Sequence, residues 1–83
     1  MSMLQELPKA NPRFEPLMTT ARCAYMYGDD AIATRALYRA WLLANTYDEQ
    51  MQVVAGAQAL LTGKLDVADA RLLEAIASEP RRN

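Results

Sequence analysis

Histidine is absent from the 83 residues, and cysteine occurs once, at Cys23. Without histidine there is no imidazole acid–base pair. With a single thiol besides, neither a zinc site nor a disulfide framework can be assembled. Glycine occurs three times, and no phosphate-cradling Gly-rich loop can be drawn from it. No run approaches the roughly 18 uninterrupted apolar residues of a membrane-spanning helix. The segment Met1-Ser2-Met3-Leu4-Gln5-Glu6-Leu7-Pro8 lacks both the basic and the continuous apolar region of a secretory leader. Neither sign of charge dominates: nine Lys+Arg stand against ten Asp+Glu, a net of -1, which argues against a protein that holds nucleic acid by phosphate neutralisation. The expectations are a cytoplasmic protein with no cofactor, no metal, no nucleic-acid or membrane partner, and no catalytic activity.

What is present is apolar residues, 52% of the chain, arranged at helical spacing. Residues 1–13 contain Pro8 and Pro12 and little periodicity, so an extended or partly ordered arm is expected, from which Leu4 and Leu7 could dock on the body. From Phe14 onward Leu17, Ala21, Ala24 and Tyr25 recur at three- and four-residue steps, and Pro16 suits a first helical turn. Cys23, inside this pattern, reads as a small core residue. Gly28 stops the helix, and Asp29 or Asp30 caps the next, whose apolar stripe is Ala33, Leu37, Ala40, Trp41 and Ala44. Thr46 followed by Glu49 spells a capping box for a third helix from about Asp48 to Thr62, ending at Gly63. Asp66 caps a fourth, carrying Ala68, Leu72, Ala75 and Ile76 and stopping before Pro80. Nothing alternates with a period of two. The expected fold is all-α: two stacked antiparallel hairpins, four helices in all, in a domain spanning 14–83 behind the arm 1–13.

The second hairpin repeats the first. At a shift of 35 residues Gly28 falls on Gly63, Ala33 on Ala68, Leu37 on Leu72 and Ala40 on Ala75; Met18 meets Val53, Ala21 meets Gly56 and Ala24 meets Ala59. This pattern resembles the tetratricopeptide (TPR) repeat, a helix–turn–helix of about 34 residues with small residues at its crossings. The match is fuller in repeat 49–83, through Gly56, Gly63, Leu65, Ala68, Leu72, Ala75 and Pro80, than in repeat 14–48. Departures are Gln52 where the family places an aromatic, Ala24 and Ala59 where it places tyrosine, and Asn45 where it closes the repeat with proline.

The resemblance implies a concave face lined by the first helix of each pair: Met18, Arg22, Tyr25 and Met26 from one copy, Val53, Ala57, Leu60 and Leu61 from the other. Such a lining suits an amphipathic or apolar helix of another protein, with adaptable Met side chains; the same residues could instead pack a superhelix interior or a self-association surface. The lysine and asparagines with which chaperone-tail TPR domains grip a carboxylate are missing. The expected function is therefore a small interaction module, an adaptor or a chaperone of the secretion type, similar in size and helical design to TPR-like chaperones of bacterial type III secretion subunits. The alternative is a structural or inhibitory homodimer, of phage or plasmid type, acting through its outer surface. Since repeat units bury their faces on neighbours and about three are usually needed, two repeats without a cap are expected to associate. Among the charged residues, Asp29 and Asp30 read as caps. Arg35 and Arg39, four apart, read first as a solvated face and then as a strip for a partner's acidic groups.

Overall fold

The computed structural model describes residues 9–78; Leu4, Leu7, Pro80, Arg81 and Arg82 lie outside that range. Four helices follow one another: α1 (Phe14–Met26), α2 (Asp30–Leu43), α3 (Tyr47–Leu60) and α4 (Val67–Ser78), and no strand occurs among the described residues. The architecture is all-α, with α1 against α2 and α3 against α4; α2 also touches α3 and α4, while α1 meets α3 only lightly. Among the described residues no helix is long and apolar enough to cross a membrane.

Each helix starts where a short polar side chain can satisfy its free N–H groups, with one exception. Asp29 Oδ1 accepts from Ile32 N at 3.1 Å, and Asp66 Oδ1 accepts from Asp69 N at 2.9 Å. Thr46 Oγ1 accepts from Glu49 N at 3.0 Å while Glu49 Oε1 accepts from Thr46 N at 3.1 Å, a reciprocal capping box that satisfies two orphan donors. The exception is α1, whose cap residue Arg13 offers no side-chain acceptor; Asn11 substitutes, accepting from Arg13 N through Oδ1 and from Phe14 N through its carbonyl. At the end of α1 the chain reverses through Gly28 at φ +82°, a left-handed conformation that side chains with a Cβ resist.

The core is built from alanines as much as from large side chains. Phe14, Met18, Ala21 and Ala24 of α1 meet Ala33, Ala36, Leu37 and Ala40 of α2, joined by Val53, Ala57 and Leu60 of α3 and by Leu73 and Ile76 of α4. Two glycines permit close approach. A Cβ on Gly56 would stand 2.9 Å from Leu37 Cδ1, and one on Gly63 would stand 2.8 Å from Asp30 Oδ2. Glycine therefore lets α3 sit down on α2, and lets the loop after α3 lie against the start of α2.

Three expectations are corrected. Cys23 is exposed, because the buried stripe of α1 runs through Ala21 and Ala24 and leaves residue 23 on the solvent side. In α4 the buried residues are Leu73 and Ile76; Ala68 and Ala75 are exposed and Leu72 is half-buried. The third follows from the second: burial repeats at a shift of 36 residues, not 35. Met18, Ala21, Ala24, Leu37 and Ala40 then correspond to Val54, Ala57, Leu60, Leu73 and Ile76, all buried. One residue of shift turns a helix by about 100°, so matching residue identities selected a neighbouring face of α4.

Candidate functional site

Four of the eight residues expected to line a groove do meet at one place. Met18, Arg22 and Tyr25 of α1 face Leu60 of α3 across a small open pocket of about 130 Å³, floored by Leu37 and Gly56. The pocket exists because Gly56 has no side chain to fill it and because α1 and α3 touch so lightly. Met18 and Leu60 are themselves buried and present only an edge to the opening. Tyr25 stands at the rim, 47% exposed. Arg22, also at the rim, lies 3.6 Å from Glu15 Oε1 in an exposed ion pair of the kind that holds a side chain weakly and contributes little to stability. An incoming carboxylate could take the guanidinium from Glu15 at little cost.

The other four are placed differently. Val53 and Ala57 are fully enclosed; they belong to the central cluster rather than to a groove, because α3 packs into the core on that side. Leu61, the residue after α3, is half-buried against the same cluster. Met26 is at the opposite extreme, 81% exposed at the end of α1.

Next to Met26 is a residue that the repeat pattern did not single out. Tyr27 is 90% exposed, so Tyr25, Met26 and Tyr27 form an apolar, aromatic tip directly before the Gly28 turn. Large apolar side chains gathered at one exposed point are the informative departure from an ordinary surface. The signal was available: three bulky residues in a row at a helix end cannot all face one core.

Among the described residues no group of three His, Cys, Asp or Glu side chains is placed to hold a metal. The acidic residues that cluster in sequence are occupied structurally, Asp29 as a cap and Asp30 beside Gly63.

No protein-family model, curated protein or solved structure matches the chain. The pocket and the aromatic tip are thus the features from which a function must be argued.

Proposed function

We propose that the chain is a small TPR-like interaction module of the cytoplasm, an adaptor or a secretion-type chaperone, that takes an apolar helical segment of another protein. The observation that carries this reading is the exposed tip of Tyr25, Met26 and Tyr27 beside a nearly non-polar pocket. Rigid aromatics and flexible methionine are the side chains that anchor interfaces, and one side chain of a partner helix is about the size the pocket accepts. Arg22 at the rim would orient the segment by pairing with a carboxylate of the partner. The glycine-ended first helices and the two similar hairpins support the TPR-like part of the reading.

The test uses variants outside the core. A dye-labelled amphipathic peptide with leucines at i, i+3, i+4 and i+7 and uncharged polar residues elsewhere is titrated with the protein and followed by anisotropy. The substitutions Tyr25→Glu and Met26→Glu together should weaken binding by about tenfold or more, equivalent to at least about 1.4 kcal/mol, with the far-UV circular dichroism unchanged. Equal affinity of the wild type and the double variant would sink the proposal.

A further inference from the structure

The opposite flank of α1 carries a larger opening of another chemical character. Where the start of α1 passes the end of α2, a cleft of about 480 Å³ is lined by apolar side chains together with Arg13 and Arg39. A second depression of about 270 Å³ shares Leu17 and Arg39 with it and continues along α2 to Arg35 and Ile32. The two form one trough, bordered along α2 by Ile32, Arg35, Arg39 and Leu42. Ile32 and Leu42 are 47% and 50% exposed. Ten residues of helix separate them, about 15 Å, the length of roughly three turns of a docked helix.

The charge of this trough is unanswered within the hairpin. Among the described residues no carboxylate lines it, and Arg13, Arg35 and Arg39 make no ion pair through their guanidinium groups. Arg35 and Arg39 are moreover four apart on one helix, a like-charge spacing that is unfavourable unless an anion lies between them. An apolar floor excludes a ligand bound through phosphate alone, whereas guanidinium groups around it are suited to forked pairing with carboxylates.

We propose that this trough is a docking site for an acidic amphipathic helix of a partner protein, whose apolar side chains lie over Leu17, Ile32 and Leu42 while its Asp and Glu residues pair with Arg13, Arg35 and Arg39. The site is separate from the pocket beside Tyr25 and does not depend on it. A partner could engage either, or wrap α1 and use both.

The experiment titrates the full chain with a dye-labelled helical peptide of about four turns, carrying one leucine stripe flanked on both sides by glutamates. Its comparison peptide has lysine at every glutamate. The glutamate peptide should bind, its affinity should fall as salt is raised, and the lysine peptide should bind at least about tenfold more weakly. Arg35→Glu with Arg39→Glu, both on the surface, should remove about tenfold or more of the affinity with circular dichroism unchanged. The proposal is overturned if the glutamate peptide fails to bind, if the lysine peptide binds equally, or if the arginine variants retain wild-type affinity. It is also overturned if phosphatidylserine vesicles or duplex DNA displaces the peptide more effectively than the same peptide unlabelled, or if the chain sediments as a dimer that the peptide dissociates, since the trough would then serve a membrane, a nucleic acid or a second copy.

Discussion

Glu49 holds more of the local structure than its place in a capping box announces. Its side chain is 5% exposed, and the carboxylate accepts three backbone N–H groups: Asn45 at 2.8 Å and Thr46 at 3.1 Å on Oε1, and Asn11 at 3.1 Å on Oε2. One oxygen starts α3; the other fastens the segment before α1 to it, across 38 residues of chain. Glu49→Gln separates these duties, because the amide keeps one acceptor oxygen and turns an N–H₂ toward Asn11 N. A loss of about 1–2 kcal/mol is expected from the one broken bond, and about 2–4 kcal/mol for Glu49→Ala, which strands all three donors. Urea unfolding of both variants checks the order; equal losses would mean that the Oε1 contacts with Asn45 and Thr46 add nothing beyond the contact with Asn11. Thr34 gives the reverse case. It is fully buried, and its Oγ1 has no hydrogen-bond partner in the structure. Valine removes the unsatisfied hydroxyl while keeping the branched shape, so Thr34→Val should raise stability by about 1 kcal/mol. A fall in the urea midpoint would contradict that account.

Among the elements, all four helices were legible in outline because their boundaries are written in local chemistry. Asp29, Thr46 with Glu49, Asp66 and Gly28 mark starts and stops through interactions that span only a few residues. The face of α2 was legible too: of its expected apolar stripe Ala33, Leu37, Ala40 and Ala44 are buried, and Trp41 is half-buried against them. The face of α4 was not. Leu72 and Leu73 are adjacent and equally apolar, so only packing against α2 and α3 decides which turns inward. The same limit applies to the candidate site. Tyr25 and Met26 were assigned to an open face only through the TPR resemblance, since spacing alone put Tyr25 in the apolar stripe of α1, and the burial of Val53 and Ala57 depends on how deeply α3 settles. That depth rests on Gly56. Alanine there would ordinarily favour a helix by about 1 kcal/mol, yet its Cβ would press on Leu37 Cδ1 at 2.9 Å. Leu37 is itself buried, so Gly56→Ala should cost about 1 kcal/mol net. It should also narrow the pocket beside Tyr25, lowering the affinity for the uncharged amphipathic peptide. Stabilisation with unchanged peptide binding would show that α3 does not need the close approach.

For the molecule as a whole, the two hairpins are unlike in charge and thin in core. Residues 9–44 carry five Lys and Arg against three carboxylates, while residues 45–78 carry two against five. The near-zero total therefore hides a polarised chain, with its positive half around the arginine trough. Among the described residues the buried hydrophobic set contains fifteen, and seven of them are alanine. An alanine methyl removes little apolar area from water, and burial stabilises at only about 25 cal/mol per Å², so close helix packing here comes with a small hydrophobic driving force. The isolated chain should unfold in urea with no more than about 3–5 kcal/mol of stability at low micromolar concentration. Ligand binding should add to this by mass action, by about 2.7 kcal/mol at a hundredfold excess over Kd. Peptides that fill the pocket and the trough should therefore raise the unfolding midpoint separately, and together by nearly the sum, since they sit on opposite flanks of α1. Equilibrium unfolding with each peptide and with both measures this directly. A stability near 10 kcal/mol without any ligand would show that the alanine-rich core suffices by itself, and would remove the physical reason for expecting this chain to be completed by a partner.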